Sequence, residues 1–536
     1  MIQRANQREA DVVVIGCGAG GGVLAKELAE AGLSVVVLEA GPRYEPQRDY
    51  RADANSFEAE GRARFMPDDE RHNRYSTPPG KWLAFNRAKG VGGSTLRYLG
   101  ISPRLHESDF RVRSEDGVAD DWPITYQDLE PYYTRVEYEL GVAGPSGAVA
   151  NPFEPPRSKP YPTAAHPFNA ASKALKRGAD RLGLHLVREP LAIPTQPWHG
   201  RPACINAGVC YVGCSISAKS SIDVTYVPRA LATGRVEIRT RAMAREIVLA
   251  ADGRARSVVY IDAERREHEI AGRAIVVAGN AVETPRLLLM SASSRFPDGL
   301  ANSSGLVGRY FTEHLAVFTY GRFAARIDPW RGTPSGGFMQ DHCATNRKNG
   351  FARGWTMIVT NSWHWPQAVA QRAGGWGTDH KNRMRQLFGH FTGLCSNGEQ
   401  LPDLNNRVTL DPVERDNFGL PIPHLTLDTG ENDRAMIRAI GARQREVFEA
   451  AGALEIWSDG YLPGMASHYT GTCRMGNDPA TSVVDAWGRA HDVPNLFIGD
   501  GSVWVTSGCA NPALTISALA TRIAEGIVAR FRRREI

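Results

Sequence analysis

An α/β fold organised around a βαβ unit is what this sequence predicts, and its two ends predict it. At the start, four apolar β-formers, Val12 to Ile15, run into Gly16, Gly18 and Gly21, which stand in a G-x-G-x-x-G frame and open a helically spaced segment (Val23, Leu24, Leu28). Beyond Gly32 a second β-rich run, Val35 to Leu38, closes on Glu39. At the far end, NLFIGDGSVW (495–504) reads as a buried strand ending in a tight turn at Asp500-Gly501, and NPALTISALATRIAEGIVARFRRR (511–534) as a long helix.

The first stretch carries a Rossmann-like dinucleotide fingerprint. Gly16 permits the turn, Gly18 lets the backbone approach a pyrophosphate, Gly21 lets helix and strand pack closely, and the helix N-terminus faces the anion. Glu39 stands about 20 residues beyond the glycines, where an acid accepts hydrogen bonds from the ribose hydroxyls. A carboxylate there repels a 2′-phosphate and disfavours NADP, whereas FAD and NAD both fit.

Length and composition bound the rest. A chain of 536 residues exceeds one ordinary core and predicts two or more domains. With 42% hydrophobic and 23% charged residues it reads as globular. A net charge of +5 with no basic stripe among aromatics argues against nucleic acid. No apolar run is long enough to span a membrane, and MIQRANQREA lacks the apolar core of a secretory signal. Eight cysteines make no disulfide scaffold at this length, and only Cys204, Cys210 and Cys214 lie close together.

In order along the chain, residues 44–80 read as a polar surface excursion. RAKGVGGSTLRYLG (87–100) is a second glycine loop in which Gly90, Gly92 and Gly93, then Ser94 and Thr95, can press amides and hydroxyls against a flat or anionic ligand. DWPITYQDLEPYYTRVEYELGV (121–142) predicts a loop and then an ordinary surface helix, and 143–168 a Pro/Gly-rich connection. VEIRT, AREIVLA, RSVVYIDA and RAIVVAG predict a β-meander over 233–278, followed by a helix from Pro285. The stretch 300–465, where Trp355, Trp363, Trp365 and Trp376 lie close together, is expected to shape a substrate pocket, with core filling the favoured reading of the tryptophans themselves. SHYTGTCRMG (467–476) is a loop holding His468. Asn511 suits the N-cap of the last helix, with Pro512 as its first residue.

Taken together, the fingerprint, GVGGSTLRYLG, ETPRLLLMSA, and HYTGTCRMG followed by FIGDGSVW and NPALTISALA resemble the glucose-methanol-choline family of flavoprotein oxidoreductases, in family order and over essentially the whole chain. The resemblance implies FAD, and an α+β arrangement overall in which a discontinuous FAD-binding domain (1–105, 196–300, 465–536) is intertwined with a substrate-binding domain on an antiparallel sheet, with connections (106–195, 301–464). Relatives that attach flavin covalently in the second loop use a His where Arg97 stands, so non-covalent FAD is expected. The chain departs from the second signature at Asn280, where the family has Gly, and at Ala292-Ser293.

By this resemblance FAD is held by Gly16, Gly18, Gly21, Glu39, Gly92, Gly93, Ser94, Asp500, Gly501, Asn511 and Pro512. Alcohol oxidation needs a hydride acceptor, which flavin supplies at N5, and a base for the hydroxyl proton. His468 suits the base and Asn511 the group that holds the substrate oxygen; a His–Asn pair resembles the sugar, sterol and choline members. The last helix would set its positive end near the flavin pyrimidine. The expected reaction is oxidation of a sugar or glycoside hydroxyl.

Cys204, Cys210 and Cys214 form a C-x5-C-x3-C run similar to that of multi-subunit sugar dehydrogenases, whose catalytic subunit holds a three-iron cluster. A zinc ion on the three thiolates and His199 is the alternative. The cluster implies a small accessory subunit, a cytochrome-type acceptor, and a periplasmic site if that subunit carries the export signal; otherwise the chain is expected in the cytoplasm. Rival readings are an oxidase of the same family that makes peroxide, and a non-redox flavin-containing lyase or binding subunit.

Overall fold

The computed structural model describes residues 9–50, 74–145, 151–361 and 366–536. Most of the 44–80 excursion, together with Trp363 and Trp365, lies outside the described residues. The first of two large sheets has seven strands, in the order Val236–Thr240, Val35–Glu39, Ala10–Ile15, Glu267–Val277, Ala255–Ile261, Met243–Leu249, with Leu496–Ile498 also on Glu267–Val277. The strands at its centre bury every side chain from Val12 to Ile15 and from Val35 to Glu39. Continuous apolar runs of this kind belong to a parallel sheet covered on both faces.

Glu267–Val277 is long because it serves two layers. Up to Ala271 it pairs antiparallel with Ala255–Ile261; from Gly272 it pairs parallel with Ala10–Ile15, and its end also pairs with Leu496–Ile498. The switch falls at a glycine for a steric reason: a Cβ on Gly272 would stand 2.8 Å from the Val13 side chain. The expected meander forms from its last three runs only. VEIRT, half exposed throughout, leaves it and pairs parallel with Val35–Glu39 at the far edge.

The helix Gly21–Glu30 packs on the C-terminal helix Ala513–Arg532, which also packs on Tyr126–Leu140. The last of these, expected as a surface helix, keeps Gln127, Asp128, Pro131 and Arg135 exposed but buries more than its apolar face. Leu129, Tyr133 and Val136 are fully enclosed, and Glu137, on the face counted as polar, binds the equally buried Arg104 at 2.8 and 2.9 Å. A periodicity count cannot anticipate an inward charge whose partner lies 33 residues away. The helix expected from Pro285 spans Glu283–Met290.

The second sheet is antiparallel, in the order Ser335–His342, Trp355–Thr360, Phe391–Glu399, Val317–Arg322, Glu455–Tyr461, with the short strand His314–Leu315 on Phe391–Glu399. Alternation gives it two different faces. Met357, Val359 and Leu394 join the core beneath the helix Glu431–Ala451, while Ile358, Thr360, Cys395 and Asn397 face a cavity shared with the first sheet.

Candidate active site

The cavity has a volume of about 400 Å³ and is walled on one side by the glycine loops and on the other by the second sheet. Gly16, Gly18, Glu39, Gly93, Ser94, His468, Asp500, Gly501, Asn511 and Pro512 all line it. Gly21 and Gly92 lie behind the wall. A Cβ on Gly21 would stand 1.9 Å from Gly16 O, so this glycine serves the helix–strand contact. Gly92, at φ +109°, donates its N–H to Cys17 O at 2.9 Å and so joins the second glycine loop to the first.

At the floor, Gly93 sits so close to Gly18 that a Cβ would come within 2.7 Å of the Gly18 Cα. Bare backbone on both loops therefore faces the cavity, as an extended dinucleotide requires. Glu39 holds the loops together: Oε2 accepts from Cys17 N at 2.9 Å, and Oε1 from Gly41 N at 2.8 Å and Gly90 N at 3.1 Å. Burial raises its pKa against these amides. The carboxylate expected at the ribose is thus mainly committed to protein amides, with room left on Oε2 for one more donor. These residues fit FAD.

Asp500 ties the C-terminal loop to the second signature. Its Oδ2 accepts from Asn280 N at 2.9 Å and Thr284 Oγ1 at 2.5 Å, and its Oδ1 from Ser502 N at 2.8 Å. Asn280 stands at φ +94°, where the family has glycine, and its own Oδ1 accepts from Val282 N at 2.9 Å. Asparagine tolerates the left-handed region through such local bonds.

His468 lies against Asn511 and a second histidine. His314 Nδ1 is 2.8 Å from His468 Nδ1, and Asn511 Nδ2 is 3.3 Å from His468 Nε2. The tautomers follow from the partners. His314 Nε2 faces the carbonyls of Gly508 and Ser507 at 2.9 and 3.3 Å and must donate, so its Nδ1 accepts and His468 Nδ1 donates. His468 Nε2 is left as a lone pair at the cavity. Asn397 Nδ2 donates to Asn511 Oδ1 at 2.9 Å and so turns the Asn511 amide donor toward that lone pair.

Burial pushes His314 down to about 4, and burial with the neighbouring His314 holds His468 well below its ordinary range, so both rings are neutral. Before them in sequence, Glu313 accepts the N–H groups of Gly464 and Ser467 at 2.6 Å each; burial lifts its pKa to about 8. Ser467, at φ +58°, is the bend that turns His468 inward.

Asn511 does not cap the last helix as expected. Its amide is engaged by Asn397 and His468, and Pro512 takes the cap position before Ala513. Ala513 and Ile516 line the cavity, so the positive end of the helix does point at it. Trp355 fills the second core and Trp376 is 89% exposed, and neither lines the cavity. From the same 300–465 stretch, Phe318, Ile358, Thr360, Cys395 and Met465 line the pocket. His314 and Asn397 escaped sequence reasoning; His314 follows Thr312-Glu313 and Asn397 lies between Ser396 and Gly398, surroundings in which neither stands out.

Cys204, Cys210 and Cys214 stand behind the second glycine loop, off the cavity. Burial, helped by the nearby Cys214, raises the Cys204 thiol, and burial pushes Cys210 up to about 12 against the adjacent buried Lys219, with Cys204 and Cys214 adding to the rise. Cys204 Sγ accepts from Asn206 N at 3.3 Å and Cys214 Sγ from Lys219 N at 3.4 Å. The three sulfurs are not within 4.8 Å of one another, the spacing of a single-ion site. His199 stacks on Trp198 and joins no such ion site among the described residues, so the zinc alternative fails. A cluster several ångströms across holds its thiolates farther apart than a single ion does.

No helix among the described residues is long and apolar enough to cross a membrane. Family models for GMC oxidoreductases match residues 10–316 and 402–520. The chain is 36% identical to a 2-methyl-1,2-propanediol dehydrogenase of Mycolicibacterium austroafricanum, over 98% of this chain and 96% of that one. It is 33% identical to the fructose dehydrogenase large subunit of Gluconobacter japonicus, over 97% and 98%. The fold matches that of Aspergillus oryzae formate oxidase with a TM-score of 0.68 at 14% identity, covering 99% of this chain and 100% of the other. The two glycine loops, the histidine facing the cavity and these matches agree: the chain belongs to the GMC family, FAD-dependent oxidoreductases acting on CH–OH groups.

Proposed function

We propose that the chain is an alcohol dehydrogenase that oxidises a hydroxyl of a sugar or glycoside, with His468 as base. The observation that carries the reading is the His468 Nε2 lone pair, aimed at the cavity beside the Asn511 amide. FAD supplies the acceptor for the hydride lost from the substrate carbon. His468 Nε2 takes the hydroxyl proton, Asn511 Nδ2 donates to the substrate oxygen, and Asn397 keeps that amide in register. His314 keeps His468 in the accepting tautomer. Gly16, Gly18, Gly93, Ser94, Glu39 and Asp500 hold the dinucleotide, which stays non-covalent because Arg97 offers no nucleophilic ring nitrogen.

Cys204, Cys210 and Cys214 would hold a three-iron cluster, which supplies a one-electron outlet. The likeness to a dehydrogenase large subunit supports a smaller accessory subunit; a cytochrome-type acceptor, and export in complex with that subunit, complete the proposal. A compact branched diol is the second reading of the substrate. Phe318, Ile358 and Met465 make much of the pocket wall apolar, and a relative acts on 2-methyl-1,2-propanediol. Anaerobic bleaching of the flavin by a panel of sugars, glycosides and short diols tests both. A substrate that bleaches the flavin but yields stoichiometric peroxide in air would move the reading to an oxidase.

A further inference from the structure

Three ligand-type side chains that the alcohol chemistry does not use come together behind the catalytic loop. His106, Cys343 and Cys509 belong to distant stretches: the segment after the second glycine loop, the end of the strand Ser335–His342, and the loop before Asn511. A ring nitrogen of His106 and the two sulfurs all lie within 4.8 Å of one another, the one such set among the described residues. Both thiols are free and buried, at 7% and 1% exposure. His106 Nε2 is also shut away from solvent and completes no hydrogen bond of good geometry. A ligated ion would give this nitrogen the partner it lacks.

The residue types suit a thiophilic d10 cation. Zinc bonds thiolate sulfur at about 2.3 Å and imidazole nitrogen at about 2.0–2.1 Å, so ligand atoms around one ion stand roughly 3.5–4 Å apart. Closing from the observed spacing needs only a small inward movement. Charge favours a divalent ion, because two thiolates balance it and leave the assembly neutral in an interior that penalises net charge. Binding releases one proton from each thiol. Asp109 stands behind the imidazole: its Oδ2 is 3.7 Å from His106 Nδ1 and accepts His106 N–H at 2.7 Å, and Arg353 in turn holds Asp109. A carboxylate so placed fixes the orientation of a ligating imidazole.

We propose that His106, Cys343 and Cys509 form a zinc site that fixes the loop carrying the His314 acceptor and Asn511. Cys509 directly follows Gly508, whose carbonyl takes His314 Nε2 at 2.9 Å. An ion here ties that loop to the second sheet and to the segment around His106, so the His–Asn geometry is held from behind.

The test uses FAD-loaded full-length protein carrying Cys204→Ser and Cys210→Ser, which removes the other thiol set. Zinc is first counted as isolated; the protein is then stripped with a chelator under argon and titrated with cadmium(II) and zinc(II). One equivalent of either metal, a cadmium–thiolate charge-transfer band, and a melting temperature raised by zinc are expected, and adding Cys509→Ser should abolish all three. Cys343→Ser and His106→Gln, on the other two stretches, give the same reading should Cys509→Ser fail to fold. Metal uptake and cadmium absorbance unchanged by these substitutions would overturn the site. So would a reference protein that takes up no metal, or one whose two thiols are found as a disulfide.

Discussion

His314 and His468 meet through their Nδ1 atoms at 2.8 Å, and the proton in that contact belongs to His468. Two backbone carbonyls fix the His314 tautomer from behind, so the order of donors and acceptors runs outward to a bare nitrogen at the cavity. The base is thereby set by main-chain groups one ring behind it.

His468→Ala should slow flavin reduction by roughly 10²-fold or more, the scale of a lost general base. Asn511→Ala should also slow it, with FAD retained in both. Stopped-flow reduction under anaerobic conditions gives the answer, and a His468→Ala protein as fast as the parent would remove His468 from the role.

The pH profile follows from the two lowered imidazoles. A base works only when neutral, and the pKa of His468 in the folded protein lies well below 6.5, so the rate should hold level from neutral pH into mild acid and fall only well below pH 6.5. His314→Ala removes the neighbour that helps lower it, and the acid limb should move up toward 6.5. An unchanged limb in His314→Ala would show that the pair is not coupled.

Glu39→Gln places an amide NH2 or a weaker acceptor against three backbone N–H groups. Losing charge-assisted bonds at a buried site that shapes the FAD loops costs on the order of 1–3 kcal/mol, about fivefold to 150-fold if it falls on FAD affinity. Flavin retained through gel filtration, compared with the parent, measures it.

Acid precipitation should leave yellow cofactor in the supernatant. Arg97 is held by the Tyr211 hydroxyl at 2.6 Å and lies over its ring. Flavin in the pellet would contradict non-covalent binding.

Iron should be found at about three atoms per chain in protein purified anaerobically with any partner. Cys210→Ser should lose it and uncouple transfer to an artificial acceptor, while substrate still bleaches the FAD. Iron-free, fully active protein would rule the cluster out.

The sequence by itself determined the features that are local in the chain. The strand–glycine–helix turn at Val12–Gly21, the strand closing on Glu39, the helix after Pro512 and the order of the family motifs each depend on residues a few positions apart, whose backbone demands show in their spacing. Tertiary structure alone decided what meets across the two sheets. His314 comes from a two-residue strand and Asn397 from the middle of another, and packing brings them to His468 and Asn511, more than 100 residues away. The same holds for Glu137 turned inward on Arg104, for Trp355 spent on the core, and for His106, Cys343 and Cys509 in one cluster. Such contacts are fixed by how layers stack and which face of a strand turns inward, and a linear pattern carries the period of a face but not what will lie opposite it.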